Sequence, residues 1–191
     1  MSTDAGNNKT PILSIIGKSN SGKTTLIEKL IPVLAQRGWR VATIKHNMHG
    51  FEIDHAGKDS WRHKKAGACV TVIASPRQVA VVEDTDRDYE ILELRDRYIR
   101  NADIILVEGY KKNPYPKIEV NRPSLRSERL SSAGENLLAI VSDEAIDADV
   151  PCLNINDITA IVDLIEKHYV LTEDGAVSRA ASGAGSRGGR R

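Results

Sequence analysis

A glycine-rich segment between two apolar stretches constrains this chain more than any other feature. The stretch ILSII, Ile12–Ile16, predicts a buried β-strand, and GKSNSGKT, Gly17–Thr24, follows it directly. The apolar spacing over Lys23–Arg37 then predicts a helix that ends near Gly38. The glycine-rich segment matches the pattern G-x-x-x-x-G-K-[ST] at every position, between the strand and the helix that this pattern requires. The segment therefore predicts a phosphate-binding loop and, with it, a nucleotide ligand.

Each residue type in this loop has a chemical reason. Gly17 and Gly22 allow backbone angles that a β-carbon would forbid, so that successive N–H groups can surround an anion at the start of a helix. Lys23 is expected at the β- and γ-phosphates, the Thr24 hydroxyl at Mg²⁺, and Thr25 nearer the α-phosphate. The predicted nucleotide-binding residues of the loop are Gly17, Asn20, Ser21, Gly22, Lys23, Thr24 and Thr25.

A carboxylate at the end of another apolar strand completes this prediction. Glu108 follows Ile104–Val107 directly in the segment ADIILVEGY, whereas Asp103 precedes the same strand. Ligands of parallel sheets collect at the carboxyl ends of the strands, so Glu108 lies at the correct end and Asp103 at the wrong one. Glu108 is predicted to hold a Mg²⁺-bound water or to orient the attacking water. Gly109 beside it would let the chain turn close to a phosphate.

The segment after a second predicted strand, Arg40–Lys45, is polar and rich in histidine and aspartate. His46–Asp59 is predicted to be a long loop. The histidines of this region are His46, His49, His55 and His63. A switch segment that senses the γ-phosphate and Mg²⁺ fits this composition, and so does a transition-metal cluster. The spacing matches no zinc pattern, and an ordinary solvated loop also fits.

Apolar stretches and turn residues alternate along the rest of the chain. Further strands are predicted at Ala68–Ala74, Gln78–Val82, Pro116–Val120, Leu137–Val141 and Cys152–Ile155, and further helices at Ser60–Ala66, Asp88–Arg100 and Asp157–Tyr169. The first two of these strands are close enough to predict a β-hairpin. Strands that alternate with helices predict a P-loop NTPase fold, a three-layer α/β/α domain around a mostly parallel sheet, with the hairpin as an extension. The domain is expected to span residues 11–170, with disordered segments at 1–10 and 171–191.

The composition excludes several classes of protein. Lys and Arg number 27 against 26 for Asp and Glu, so a generally basic nucleic-acid-binding protein is not predicted. No apolar run reaches about 18 residues and no signal peptide is recognisable, so we expect a cytoplasmic protein without membrane contact. Cys69 and Cys152 lie in apolar runs without metal-ligand spacing, and both are expected to be buried core thiols.

The identity of the base does not follow from the motifs. GTPases of the Ras-like kind carry N-K-x-D after a late strand, and this chain has no such segment there. The nearest match is Asn154–Asp157, which keeps the asparagine and the aspartate but lacks the lysine. Asp157 fits equally well as the N-cap of the last predicted helix.

Three segments, taken in order, resemble one known family. They are GKSNSGKTTLIEKLIPVLAQRGWRVATIKH, DHAGKDSWRHKKAGA and ILVEGYK. From about Ile12 to Tyr169 the chain resembles the MobB family of molybdopterin-guanine dinucleotide biosynthesis adaptor proteins. The phosphate-binding loop is shared by many families, so IKH, GKDS and VEGYK are the specific part of the resemblance. The family's proline before GKDS is replaced by Ala56, which changes the expected shape of that loop.

The resemblance implies a GTP-binding protein with weak GTPase activity. It implies a homodimer that acts beside MobA, the guanylyltransferase that joins GMP to molybdopterin, and it leaves open whether molybdopterin binds this chain. The phosphate and Mg²⁺ ligands that it implies are Gly22, Lys23, Thr24 and Thr25, with Glu108 as the second acidic element. Asp59 would approach the metal or the γ-phosphate, and His46 would line the same pocket. Alternatively, Asp59 caps the helix at Ser60 and His46 satisfies a backbone carbonyl.

The mechanism predicted from these residues is Mg²⁺-assisted attack of water on the γ-phosphate. The predicted catalytic residues are Lys23, Glu108 and Asp59, and the predicted metal ligands are Thr24, Glu108 and Asp59. No glutamine or arginine finger is evident, although Arg77, Lys111 and Lys112 are candidates for one. Hydrolysis is therefore expected to be slow.

Two other functions are compatible with the same loop. A small-molecule kinase needs an acceptor pocket and an arginine-bearing lid, for which Arg122–Arg129 is a candidate. That segment fits equally as a polar loop that binds a partner or an anionic pterin phosphate. A metal-insertion GTPase would use the histidines after the second strand. Phosphorylation of an added acceptor distinguishes the kinase, and stoichiometric retention of Ni²⁺ or Zn²⁺ distinguishes the metal-insertion GTPase.

Overall fold

The computed structural model describes residues 10–47, 50–110, 113–125, 130 and 136–172. Its strands are β1 (Ile12–Ile16), β2 (Val41–Lys45), β3 (Val70–Ala74), β4 (Val79–Glu83), β5 (Ile104–Glu108), β6 (Lys117–Asn121), β7 (Leu137–Ser142) and β8 (Cys152–Asn154). Its helices are α1 (Lys23–Gln36), α2 (Asp59–Lys65), α3 (Ile91–Tyr98) and α4 (Ile158–Thr172), and a short 3-10 helix at Pro123–Leu125 follows β6.

A parallel sheet with the strand order β2-β5-β1-β6-β7-β8 forms the centre of the described structure. β1 lies between β5 and β6, so that Ile15 is paired with Glu108 on one side and with Ile118 on the other. Because these strands all run in one direction, their carboxyl ends meet at a single edge. The turn that follows β1 therefore lies between the ends of β5 and β6.

Helices cover both faces of this sheet. Leu13 and Ile15 of β1 pack in one cluster with α1 and α4, whereas Ile12 packs on the opposite face with Ile91 of α3. The Tyr169 hydroxyl of α4 donates a hydrogen bond to the Ile12 carbonyl at 2.8 Å. A strand buried on both faces needs apolar side chains at nearly every position, which explains the continuous apolar run of β1.

The predicted fold class is confirmed: helices flank a parallel sheet, and an antiparallel hairpin accompanies it. The bounds of most elements differ from the predicted ones by one to three residues. Asp157 is the cap of α4 as one hypothesis had it, because the Ala160 N–H donates to its Oδ1 at 3.0 Å. Among the described residues, no helix combines the length and apolar content that crossing a membrane requires. Most of the predicted disordered ends, residues 1–9 and 173–191, lies outside the described residues.

The β3–β4 hairpin forms a separate two-stranded antiparallel sheet, and α2 lies against β3. Val72 and Val81 face each other across it and are 59% and 46% exposed. The prediction that both cysteines are buried is wrong: Cys69 is exposed just before β3, and Cys152 at the start of β8 is partly exposed. The apolar run around Cys69 belongs to a hairpin outside the main core, which local hydrophobicity cannot reveal.

Candidate functional site

The turn between β1 and α1 is a tightly packed backbone loop. A β-carbon on Gly17 would lie 2.5 Å from the Val120 carbonyl oxygen of β6 and 2.6 Å from Ser21 Oγ. The Ser21 N–H donates to the Lys18 carbonyl at 3.3 Å, and Lys23 Nζ donates to the same carbonyl at 2.6 Å. The loop is thus closed on itself directly before the helix. A loop of this shape at a helix N-terminus attracts anions.

The other predicted loop ligands differ in their surroundings. Gly22 is the N-cap of α1, with a φ of 96°, and no side chain caps this helix start in the described structure. Ser21 is 1% exposed, and its Oγ has no hydrogen-bond partner among the described residues. Asn20, with a φ of 62°, is exposed, as are Thr24 and Thr25 in the first turn of α1. An exposed helix start without a side-chain cap leaves backbone N–H groups for a ligand.

Thr24 and Glu108 meet at the side of the loop that faces β5. The Thr24 hydroxyl donates to the Glu108 carboxylate, with distances of 3.0 Å to Oε1 and 3.1 Å to Oε2. Lys45 is the residue paired with Glu108 on β2, and its Nζ lies 3.6 Å from Oε2. The Glu108 side chain is 13% exposed. A hydroxyl and a carboxylate side by side are oxygen ligands of the kind that Mg²⁺ prefers.

His46 lies next to Glu108, but its ring points elsewhere. The His46 N–H donates to the Glu108 carbonyl at 2.8 Å, which continues the pairing of β2 with β5. Its Nε2 lies 2.7 Å from Asp88 Oδ2, and its ring stacks on Tyr110 with 4.2 Å between centroids. The Tyr110 hydroxyl donates to the Tyr89 carbonyl at 2.7 Å, and burial raises the pKa of Tyr110 to about 12. The ring of His46 thus contacts a carboxylate and a phenol, and among the described residues it forms no hydrogen bond to a backbone carbonyl.

Asp59 is the first residue of α2, and its side chain is 88% exposed. Its ion pair is with Arg62, at 3.7 Å, and among the described residues it has no hydrogen bond or ion pair with Thr24 or Glu108. Asp59 does not cap α2 either, because the N-cap position belongs to Lys58. The structure therefore does not bring Asp59 into contact with the loop, and its metal role stays a prediction.

A second cluster lies on the other side of the loop, at the start of the segment Arg122–Arg129 that was a candidate for a kinase lid or an anion-binding loop. Arg122 follows β6, and its Nε donates to Asp143 Oδ2 at 2.7 Å. The Ser124 hydroxyl donates to the same oxygen, and these hydrogen bonds, that of Ser124 first, hold the pKa of Asp143 below its ordinary value. Arg122 Nη1 lies 4.0 Å from the position of a β-carbon built on Gly22. Since Asn121 pairs with Ser142, the residues that follow β6 and β7 are neighbours.

Comparison with known proteins identifies the family. The family model described as "MobB: Molybdopterin guanine dinucleotide synthesis protein B" matches residues 12–143. The chain belongs to the MobB family. The match runs from the start of β1 to Asp143, and it therefore contains the loop, Glu108 and the Arg122 cluster.

Individual relatives within the MobB family agree over most of the chain. A Haemophilus influenzae protein named "Molybdopterin-guanine dinucleotide biosynthesis adapter protein" is 40% identical over 161 residues, which are 84% of this chain and 90% of that protein. An Escherichia coli protein of the same name is 38% identical over 167 residues, 84% of this chain and 94% of that protein. The crystal structure of a molybdopterin-guanine biosynthesis protein B (mobB) has a TM-score of 0.67 at 30% identity and covers 82% of this chain and 99% of its own.

The structure brings some of the predicted site residues of this MobB-family chain together, and it leaves their roles as predictions. The loop residues, Thr24 and Glu108 were predicted and lie together. Lys45 and Asp143 were not predicted as site residues, and Arg122 was named only within Arg122–Arg129, as a candidate kinase lid or a loop that binds a partner or an anionic phosphate. The position of Lys45 and the pairing of Arg122 with Asp143 become recognisable only from the strand order. That order places Lys45 beside Glu108 and Ser142 beside Asn121. The candidates at positions 49, 111, 112 and 126–129 lie outside the described residues.

Proposed function

We propose that this protein binds GTP with Mg²⁺, hydrolyses it slowly, and acts as an adaptor beside a MobA-like guanylyltransferase in molybdopterin-guanine dinucleotide biosynthesis. The observation that carries the nucleotide part is the contact between Thr24 and Glu108 beside the closed loop that holds Lys23. Membership of the MobB family and the names of the H. influenzae and E. coli relatives support the adaptor part.

The residues at the loop fit a magnesium-bound triphosphate. Gly17 lies so close to the Val120 carbonyl and to Ser21 that this position of the loop has no room for a side chain. Thr24 and Glu108 would hold the metal, and Lys23 Nζ would exchange the Lys18 carbonyl for phosphate oxygens. Mg²⁺, when bound, supplies charge neutralisation on the phosphates. Lys45 beside Glu108 is a further positive charge at this end of the site.

Slow hydrolysis follows from the absence of a water-positioning glutamine near the loop. The chain contains two glutamines, Gln36 and Gln78. Gln36 ends α1, at the opposite end from the loop, and Gln78 lies in the turn of the β3–β4 hairpin. Among the described residues, neither glutamine side chain forms a hydrogen bond with Thr24 or Glu108. A site with positioning and charge alone is expected to turn over slowly.

The hairpin supports the proposed homodimer. Val72 and Val81 are exposed on one face, and Val70 and Val79 of the same strands are 42% and 67% exposed. A two-stranded sheet alone is marginally stable in water, and further strands or a covering surface stabilise it. A second copy offers the same apolar face, as a two-fold interface requires. We therefore propose that two copies associate through this hairpin.

The alternative functions have less support. Among the described residues, no group of three or more His, Cys, Asp or Glu side chains is arranged to hold a metal ion, although His49 is not among those residues. Most of the lid proposed for a kinase, residues 126–129, also lies outside the described residues. GTP rather than ATP is proposed from membership of the MobB family. The motifs do not indicate the base, because Asp157 serves as a helix cap and no guanine motif is present.

A fluorescence titration tests the nucleotide part of the proposal. GTP and ATP would each be added to the full chain with Mg²⁺ present, for the wild type and for Lys23→Ala. We expect the wild type to bind GTP more tightly than ATP. Loss of the charged contact to the phosphates should weaken GTP binding in Lys23→Ala by about 100-fold.

Lys29→Ala is the matched control, because Lys29 is an exposed lysine of the same helix outside the loop. Its GTP affinity should equal that of the wild type. Unchanged affinity in Lys23→Ala would contradict the phosphate-binding loop, and tighter binding of ATP would contradict the choice of guanine. The adaptor part has its own test, which is capture of a molybdopterin-loaded nucleotidyltransferase by the wild-type chain.

A further inference from the structure

We propose that Arg122 binds the nucleotide at the proximal, α-phosphate end of its phosphate chain, held in place by Asp143. This inference rests on the proposed nucleotide site and adds a ligand that the loop pattern does not contain. It assigns a chemical role to the cluster on the β6 side of the loop.

Arg122 is anchored through one side of its guanidinium group. Nε donates to Asp143 Oδ2 at 2.7 Å, and the Ser124 hydroxyl holds the same carboxylate oxygen. Within the described residues, no other hydrogen bond or ion pair involves Arg122, and its side chain is 33% exposed. The terminal nitrogens therefore keep their donors, on a side chain that is not fully buried. A fork of two donors is the arrangement with which arginine binds pairs of phosphate oxygens.

These donors lie beside the start of α1. Arg122 Nη1 is 4.0 Å from the position of a β-carbon built on Gly22, which is the N-cap of this helix. The helix N-terminus carries a partial positive charge, and Lys23 follows directly. The partial positive charge of the helix N-terminus repels nearby cations, whereas it attracts a bound anion. The arrangement is therefore suited to a negatively charged ligand.

The strand order decides which end of the phosphate chain Arg122 meets. Thr24 donates to Glu108 on the β5 side of β1, and these two residues would hold a Mg²⁺ that neutralises charge on the terminal phosphates. Arg122 follows β6, on the other side of β1, and Ile155 Cδ1 after β8 lies 3.9 Å from the same β-carbon position on Gly22. A phosphate chain whose terminal end is at Thr24 therefore has its proximal end toward Arg122.

Isothermal titration of GTP and of GDP, each with Mg²⁺, tests this placement. Both nucleotides contain the α-phosphate, so Arg122→Gln should weaken both by the same factor, about 10- to 100-fold. Arg122→Lys keeps the charge without the two-donor fork and should give an intermediate affinity for both. Thermal unfolding of each variant without nucleotide would report whether it is folded.

Arg40→Gln is the matched control. Arg40 is held by Asp103 through Nε at 3.0 Å and Nη2 at 2.8 Å, at the amino edge of the same sheet. Removing this pair should leave the affinities for GTP and GDP unchanged. An effect of Arg40→Gln as large as that of Arg122→Gln would show that loss of any such ion pair impairs the site, and would overturn the inference.

Other outcomes of the same experiment would also overturn the inference or its basis. Wild-type affinities for both nucleotides in folded Arg122→Gln would remove Arg122 from the site, and a loss confined to GTP would place Arg122 at the γ-phosphate. If Arg122→Gln does not fold, wild-type affinity in Arg122→Lys overturns the proposal and a parallel loss for GTP and GDP supports it. A wild-type chain that binds neither nucleotide would instead refute the proposed function itself.

Discussion

Gly109 is the residue at which the chain leaves β5, directly after Glu108. Its φ is 112°, and a β-carbon there would lie 2.6 Å from the His46 carbonyl oxygen and 3.1 Å from His46 Cβ. The sequence predicted a glycine that lets the chain approach a phosphate. The structure gives a different reason, because the close neighbour is the backbone at the end of β2. Glycine here lets two adjacent strand ends leave the sheet in contact.

Gly109→Ala should therefore destabilise the protein more than the same substitution at a glycine whose only special feature is a positive φ. Gly38, with a φ of 89° and nothing within 4 Å of its β-carbon position, is the matched control. We expect the free energy of unfolding to fall by about 3 kcal/mol for Gly109→Ala and by about 1 kcal/mol for Gly38→Ala. Urea denaturation measures both. Equal losses would show that the contact with His46 does not require glycine.

At the scale of single residues, the sequence could predict only those features that a contiguous sequence pattern contains. The loop has a fixed spacing, and Glu108 is recognisable because it ends an apolar strand. The Arg122–Asp143 pair has no such signature, because it joins residues that follow two different strands. Each residue alone resembles an ordinary surface charge. Such a pair becomes visible only when the register of β6 against β7 is known.

Helix α3 shows the same limit of sequence-based prediction for a secondary-structure element. Periodicity predicted a helix over Asp88–Arg100, but α3 spans Ile91–Tyr98. Glu90 is its N-cap in a capping box with Glu93, and the Glu90 N–H donates to Glu93 Oε2 at 2.9 Å. Glutamate is an uncommon N-cap, so the boundary was not recognisable from residue type.

Glu93 gives this element a predicted pH dependence. Hydrogen bonds from Arg87 first, and then from the Glu90 backbone, lower the pKa of Glu93 from 4.5 to about 2. A carboxyl whose pKa is lowered on folding stabilises the fold above its unfolded-state pKa, and this stabilisation is lost as the pH falls toward 2. Glu93→Gln should therefore have a lower thermal midpoint than the wild type at pH 7, and the difference should shrink below pH 4.5.

Thermal unfolding between pH 7 and pH 2 measures this difference. Arg87→Gln is the companion variant, because it removes the donors that lie 2.5 and 2.8 Å from the Glu93 carboxylate. Its thermal midpoint should likewise be lower than that of the wild type at pH 7, and the difference should shrink below pH 4.5. A Glu93→Gln difference that stays constant down to the lowest pH would mean that the carboxylate is not what stabilises the start of α3.

Strand β6 departs furthest from what its sequence pattern indicates. KIEVN alternates polar and apolar residues, which is typical of a half-exposed strand. In the structure Lys117, Glu119 and Asn121 are 3%, 0% and 2% exposed. The Leu130 N–H donates to Glu119 Oε1 at 2.7 Å, and burial lowers the pKa of Lys117. Periodicity assigns side chains to faces, but it cannot show that a residue later in the chain, here Leu130, contacts the polar face.

For the molecule as a whole, the fold class was predictable and the strand order was not. Alternating strands and helices with a strand–loop–helix start indicate a parallel sheet. The order β2-β5-β1-β6-β7-β8 depends on contacts between residues far apart in the chain, such as the pairing of Ile12 with Ile105. The separation of the hairpin from this sheet is likewise a tertiary property.

The exposed hairpin leads to a prediction about assembly. Light scattering after size-exclusion chromatography should give the wild type twice its chain mass of 21.0 kDa. Val72→Glu places a charge on the proposed interface and should shift the protein to the single-chain mass with its circular dichroism unchanged. Leu92→Glu changes a 41%-exposed leucine of α3 and should remain dimeric. A wild type of single-chain mass, or a dimeric Val72→Glu, would contradict association through the hairpin.

No strand of the hairpin pairs with a strand of the parallel sheet in the described structure. Residues could therefore be added to or removed from β3, β4 or their turn without changing a single register in the sheet that positions Gly17, Thr24 and Glu108. The hydrogen-bonding register of the hairpin is in this sense separate from that of the parallel sheet. Under the proposed assembly, a change in hairpin length would alter how two copies associate without shifting the strands that carry the proposed nucleotide site.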